Sequence, residues 1–166
     1  KSQAMSLDVK ESGVTADGLG FLIGRFEHAL DPKKRITVPS LWRSQLGSPD
    51  SLYILPNPHA FSLTLLSPKE MALWMEGVRK RALFDRELGR SLKVLGESSE
   101  QVMLDVQGRI RIRDRLLAFA GLTERVVMVG ECNRIELWSP ERCPEEKEIP
   151  QMALAEAYSR LFVDRT

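Results

Sequence analysis

Short alternating runs of apolar and polar residues fill most of the stretch from Phe21 to Cys143, and they predict short strands joined by tight loops. Phe21, Ile23, Phe26 and Leu30 mark a first strand region. Asp31 to Lys34 breaks the pattern as a loop. Arg35 to Val38 then alternates again, with Ile36 and Val38 on the inner side. Pro39-Ser40 opens a short helix, Leu41 to Leu46, closed by Gly47. Leu52 to Leu55 and Phe61 to Leu66 predict a strand pair joined by a loop at Pro56 to Pro58. Ser67-Pro68-Lys69-Glu70 reads as a capping box with proline at the first helical position. The helix it opens has apolar points at Met71, Trp74, Met75, Val78 and Leu83. A second helix is predicted from Asp85 to Leu95, ending at Gly96.

The same order then returns. Leu30-Asp31-Pro32-Lys33-Lys34-Arg35-Ile36 reappears as Leu104-Asp105-Val106-Gln107-Gly108-Arg109-Ile110. Val38 answers to Ile112, Ser40 to Asp114 and Gly47 to Gly121. Leu52 to Leu55 matches Val126 to Val129, and Ser62 to Pro68 matches Arg134 to Pro140. The second copy predicts strands at Gln101 to Leu104, Arg109 to Ile112, Val126 and Ile135, with a short helix from Arg115 to Ala120. A last helix, Gln151 to Val163, carries Met152, Ala155, Tyr158, Leu161 and Phe162 on its apolar side. Units of about 70 residues are marginal alone, so the two copies are expected to share one core. The expected class is α+β and β-rich, a small barrel or paired-hairpin architecture. A surface presented twice suits a repetitive ligand better than one small substrate.

A hydrophobic content of 43% is ordinary for a globular chain. No apolar run approaches the ~20 residues of a membrane-spanning helix, and no signal peptide is expected at the start. Lys1 to Gly20 is polar and aperiodic, and is expected to be a mobile arm. Cys132 and Cys143 have no partner pattern and read as free cytosolic thiols. An enzyme is not expected. The two histidines, His28 and His59, lack metal-ligand spacing, and no phosphate loop or nucleophile motif occurs. Hence no metal, cofactor or small-molecule substrate is expected.

Net charge is only +1, but its distribution is uneven. Arg25, Lys33, Lys34, Arg35 and Arg43 crowd the first motif, and Arg109, Arg111, Arg113 and Arg115 the second, while acidic residues gather at Glu141 to Glu148. Arg35 and Arg109 are the leading candidates. At a loop-to-strand junction an arginine can offer its planar fork to phosphate or to guanine O6 and N7. The plainer reading is an internal ion pair with Asp31 or Asp105. Both hold together if the aspartate orients the arginine. Arg109, Arg111 and Arg113, spaced by two, share one strand face as a basic stripe while Ile110 and Ile112 face the core. Lys33 and Lys34 suit phosphate contacts. Arg25 and Arg43 are weaker candidates, and His28 reads as a packing residue.

Phe21 to Gly24, His28 to Asp31 and Arg35-Ile36-Thr37-Val38-Pro39 with Leu41 and Arg43 resemble the opening of the MraZ family. Asp105 to Ile110, Ala120 to Leu122, Val126 to Gly130 and Ile135 to Trp138 resemble its second half. The resemblance runs from about Phe21 to Cys143. It implies duplicated AbrB-like swapped-hairpin units, related by a pseudo-two-fold as a double-ψ-like small barrel with flanking helices. It divides the chain into an arm (1–20), a first unit with connecting helices (21–96), a second unit (97–143) and an acidic segment with a last helix (144–166). It also implies a cytoplasmic, nucleoid-associated repressor of the division and cell-wall gene cluster. Such a protein binds double-stranded DNA at direct repeats in its own promoter, as a ring of several chains. Ring closure needs a heterologous interface, for which the helices after Ser67 and Pro150 are candidates. Lys34 stands where the family has glycine, so the first loop is expected to differ in shape. Arg113 stands opposite Pro39, and Leu117 opposite Arg43. An antitoxin-like module binding a protein partner remains an alternative, as does a purely structural ring.

Overall fold

Strand and helix follow the alternation closely. A computed structural model describes residues 20–145 and 148–163. Its elements are β1 (Arg25–Ala29), β2 (Arg35–Thr37), α1 (Ser40–Gln45), β3 (Ser51–Asn57), β4 (Ser62–Leu66), α2 (Pro68–Ala82) and α3 (Arg86–Ser98). There follow β5 (Glu100–Met103), β6 (Arg109–Arg111), α4 (Asp114–Ala120), β7 (Arg125–Gly130), β8 (Ile135–Trp138) and α5 (Gln151–Tyr158), which continues as a π-helical turn, Ser159–Val163. The class is α+β with antiparallel strands. The predicted arm lies outside the described residues except for Gly20, whose N–H donates to the Gln45 carbonyl at 2.9 Å.

Six strands form one sheet in the order β1-β7-β8-β4-β3-β5, and β2 pairs with β6 alone. A barrel needs an unbroken ladder. Here β1 and β5 end the sheet and the ribbon is separate, so the described residues form no closed barrel. The pairings are nonetheless the same in both copies. His28 faces Val126 as Val102 faces Leu52, and Phe26 faces Met128 as Glu100 faces Ile54. Ile36 lies opposite its own counterpart Ile110, and Thr64 opposite Glu136. Each copy therefore completes its sheet with strands of the other, so neither buries its apolar face alone.

One core results. Ile36 and Ile110 from the ribbon, Trp42 and Leu116 from the short helices, and Ile54, Leu65, Met128 and Leu137 from the sheet are all buried together. The helix ends obey local chemistry. Gly121 closes α4 in the left-handed region at φ 65°. Asp85 caps α3 by accepting from the N–H groups of Glu87 and Leu88.

Some local expectations need correction. Phe21 and Ile23 are exposed (63% and 67%), and it is Leu22 that is buried, bridged to Cys132. Odd and even positions of a strand face opposite ways, so Phe21 and Ile23 do not share a face with Phe26 and Leu30. Pro56 and Asn57 belong to β3, opposite Leu63 and Ser62, and the turn is at residues 58–61. The β5 pairing stops at Ile54, so at Pro56 one edge of β3 has no strand neighbour among the described residues and a missing N–H is tolerated. Helix α3 runs through Gly96 to Ser98, because Ser99, not the glycine, leaves the helical region.

Ser67 does cap α2, accepting from the Glu70 N–H at 3.1 Å, but the capping box is not reciprocal. The buried Glu70 carboxylate instead accepts from Trp74 Nε1 (3.0 Å) and Asn133 Nδ2 (2.7 Å), tying α2 to the second half. Along α2, Met71, Trp74, Met75 and Val78 are half-buried and Leu83 is exposed. In α5 and the turn after it, Met152, Tyr158, Leu161 and Phe162 are all exposed, so among the described residues the apolar side of the last helix is left uncovered.

Candidate nucleic-acid interface

An aspartate followed four residues later by a strand arginine folds into the same cage in both copies. Asp31 Oδ1 accepts the Arg35 backbone N–H at 2.8 Å, and its Oδ2 accepts Arg35 Nε at 2.7 Å. Asp105 does the same for Arg109, at 2.9 Å and 2.7 Å. In turn the Asp31 N–H donates to the Arg35 carbonyl and the Asp105 N–H to that of Arg109, both at 3.0 Å. Each guanidinium is thus held through Nε, and among the described residues nothing takes its Nη atoms. About a quarter of each arginine side chain stays exposed. The ion pair and an outward-facing fork therefore coexist.

Desolvation pushes the Asp31 carboxyl up, but the Arg35 N–H, the Arg35 guanidinium and its charge together hold it below the ordinary range. Asp105 is lowered too, first by the Arg109 backbone N–H, against desolvation. Both aspartates are anions at neutral pH and keep their arginines in place.

The loop tips follow one backbone path. Lys34 adopts φ 61° and Gly108 φ 75°. The Lys34 N–H donates to the Asp31 carbonyl and the Gly108 N–H to that of Asp105, each at 2.9 Å. The expected change of shape in the first loop does not occur. Lysine takes the left-handed conformation at a cost of about 1 kcal/mol relative to glycine. Its ammonium reaches across to the Asp114 carboxylate at the start of α4. That carboxyl is lowered chiefly by this hydrogen bond. The two loops are also stitched together: Val38 N–H donates to Gly108 O and Ile112 N–H to Lys34 O, each at 2.9 Å.

The ribbon sets the surface. Arg35 lies opposite Arg111, and Thr37 opposite Arg109. Directly opposed residues point the same way, so these four side chains share the face away from Ile36 and Ile110. Pro32, Lys33, Lys34, Arg35 and Arg111 line a cleft of about 330 Å³ beside the first loop. Among the described residues neither Lys33 nor Arg111 forms a direct ion pair, although the Arg111 charge also helps to lower the Asp114 carboxyl. Arg113 is placed differently from the expectation of a strand stripe. The hydrogen-bonded strand ends at Arg111, and Arg113 precedes α4. Its Nε lies 3.6 Å from the buried Glu100 carboxylate, which Arg115 Nε also approaches at 3.3 Å. Arg25 donates to the Pro144 carbonyl and Arg43 Nε to Val38 O, which makes both structural. His28 sits in β1, half-buried.

The composition pointed to the caged arginines, but not to their neighbours. Asp114 was visible only as a helix start, and Glu100 carried no motif. Asp114 takes its role from Lys34, 80 residues away in the chain, and Glu100 from Arg113 and Arg115 beyond the next strand, and no local pattern records either pairing. Among the described residues no three His, Cys, Asp or Glu side chains gather as metal ligands, and no helix is long and apolar enough to cross a membrane.

Comparison with known proteins points the same way. Residues 97–163 match the family model described as "MraZ protein, putative antitoxin-like". A transcriptional regulator MraZ of Clostridium acetobutylicum is 30% identical over 143 residues, covering 85% of this chain and 99% of the relative. The protein of the same name from Caldicellulosiruptor saccharolyticus is 34% identical over 125 residues, 75% of this chain and 85% of the relative. That of Limosilactobacillus reuteri is 31% identical over 121 residues, 73% and 83% of the two chains.

Proposed function

This chain belongs to the MraZ family, and we propose that it regulates transcription by binding double-stranded DNA through its two Asp-x-x-x-Arg loops. The observation that carries the reading is the pair of caged arginines, Arg35 and Arg109, on one face of one ribbon, with no partner at their Nη atoms among the described residues. A guanidinium held side-on at Nε presents its terminal edge as a two-donor fork, the group that matches phosphate oxygens or guanine O6 and N7. Lys33, Lys34 and Arg111 stand beside Arg35, and Arg113 follows at the end of the ribbon, with charge suited to the DNA backbone. Asp31 and Asp105 orient the arginines. No step calls for a cofactor, a metal or a small-molecule substrate, and the reading is not that of an enzyme.

The exchange of strands between copies supports a description as two AbrB-like swapped-hairpin units about a pseudo-two-fold, residues 21–96 and 97–143, with an arm before and an acidic segment and helix after. The sign of regulation in this reading is repression, at direct repeats in the promoter of its own gene cluster. Several chains joined as a ring bind several boxes at once, and the affinity comes from multivalency when the boxes recur about every helical turn. The place of action is the cytoplasm, at the nucleoid. An antitoxin-like role toward a protein partner is the second reading, favoured by the wording of the matched family model.

Fluorescence anisotropy with DNA from upstream of the gene and a shuffled duplex, across a salt series, tests this. Preference for the upstream DNA by about a thousandfold supports specific recognition. Arg35→Ala with Arg109→Ala should abolish that preference while the oligomer persists. Equal, salt-sensitive binding to both duplexes reduces the surface to a merely basic one, and tight stoichiometric capture of a protein instead favours the second reading.

A further inference from the structure

The two loops share a backbone but not a chemistry, and on the DNA-binding reading above this difference has a use. Beside the first loop, Lys33, Lys34, Arg35 and Arg111 line one cleft. The corresponding positions at the second loop are Gln107, Gly108, Arg109 and Thr37, with one cation among the four. The tip of the second loop is neutral. Val106 there is wholly exposed (101%), and Gln107 beside it is exposed too. Among the described residues the Gln107 amide has no side-chain partner.

We infer that the loops divide the work: the first clamps phosphates, and the second reads base edges, with Gln107 as the specificity-determining side chain for an A·T pair. A glutamine amide offers one donor and one acceptor side by side, the complement of adenine N7 and N6 in the major groove. Val106 supplies an apolar surface for the thymine methyl group, which a charged residue would not. A lysine, by contrast, is a flexible point charge that finds phosphate without reading sequence.

The tip is rigid enough for the task. Asp105 Oδ1 accepts the N–H groups of both Gln107 and Arg109 at 2.9 Å, and Oδ2 holds the Arg109 guanidinium. Gly108 turns the chain at φ 75° in a buried position. Gln107 and Arg109 therefore leave one fixed turn, and neither has to be ordered from a mobile loop on binding. Lys33 leaves an equivalent turn, since its backbone N–H is likewise held by Asp31. The contrast lies in side chains alone.

The test uses the full chain, wild type and variants, with duplexes from upstream of the gene carrying each single base-pair substitution. Gln107→Ala should lose about 5–150-fold discrimination at one A·T position. Its affinity for shuffled DNA and its salt slope should stay as in wild type. Lys33→Ala should weaken every duplex alike and lower the log–log salt slope by about one. Gln107→Lys should raise affinity for shuffled DNA while losing the same base preference. Unchanged base preference in Gln107→Ala, or a relaxed preference in Lys33→Ala, would overturn the division of labour while leaving DNA binding intact. A wild-type protein that ignores its upstream DNA would remove the DNA reading itself, and this inference with it.

Discussion

Asp31 to Arg35 and Asp105 to Arg109 trace the same turn with different residues at its strained position. In the second loop glycine takes the positive φ, and the Arg43 guanidinium lies over it so closely that an added Cβ would fall 2.3 Å from that group. In the first loop the equivalent residue is Lys34, and the equivalent of Arg43 is the buried Leu117. The turn survives both arrangements because the aspartate cage, identical in the two copies, dictates it. What lies beside the cage is free to vary. Backbone geometry and surface chemistry are thus set by separate residues, and a duplicated unit can keep one while changing the other.

The same contrast extends inward, and there the largest effect is expected. Trp42 in α1 and its counterpart Leu116 in α4 are both buried, but Trp42 also donates from Nε1 to the Ile23 carbonyl at 3.1 Å and meets Phe26 edge-on at 4.9 Å. Trp42→Ala should cost about 3–5 kcal/mol, and Leu116→Ala about 2–5 kcal/mol. Urea unfolding of both variants measures the difference. A smaller loss at Trp42 than at Leu116 would mean that the indole contacts do not hold the first half closed.

At the loop tips, Gly108→Ala meets both an unfavourable φ and the Arg43 side chain, and should cost about 1–3 kcal/mol. The reverse change, Lys34→Gly, should stabilise by about 1 kcal/mol once salt screens the Lys34–Asp114 pair. Thermal unfolding at high ionic strength checks the pair of variants. Equal and opposite signs confirm a common turn, whereas a loss in Lys34→Gly would show that the lysine is held by more than its ion pair.

A subtler asymmetry sits in the sheet, where Thr64 faces its own counterpart Glu136. Burial pushes the Glu136 carboxyl above its ordinary value of 4.5, although it accepts hydrogen bonds from Ser62 and Thr64. A carboxyl raised in the folded state favours the protonated form there. It therefore weakens the fold progressively as pH rises from the ordinary value through the raised one. Glu136→Gln should flatten this slope, making the variant relatively more stable at neutral pH than at pH 4. Parallel stability profiles for the two proteins across that window would show that the folded state tolerates the anion.

Much of this was legible beforehand. The repeat, the inward positions of Ile36, Val38, Ile110 and Ile112, the short helices and their glycine ends all follow from local spacing, and all are found. So does the cap of Ser67 on α2. Errors arose where two local rules competed or where none applied. Gly96 resembles a helix stop, yet the helix passes it. Phe21 and Ile23 are apolar, yet Leu22 between them takes the buried place because its backbone bonds both ways with Cys132. The apolar side of the last helix is real in the pattern but stays exposed among the described residues.

By itself the sequence determined the strand alternation, the turn at each aspartate and the Asp–Arg pairs, because these depend on residues within a few positions of one another. Only the tertiary structure decided that the copies exchange strands, that Arg111 stands beside Arg35, that Lys34 reaches Asp114 and that Glu100 draws Arg113 and Arg115 together. The first three follow from the register of the ribbon and the sheet across the two halves, and the Glu100 cluster from the packing of β5 beside β6 within the second half. Register is a cooperative outcome of packing one shared core, and a period-two pattern read along one strand does not contain it.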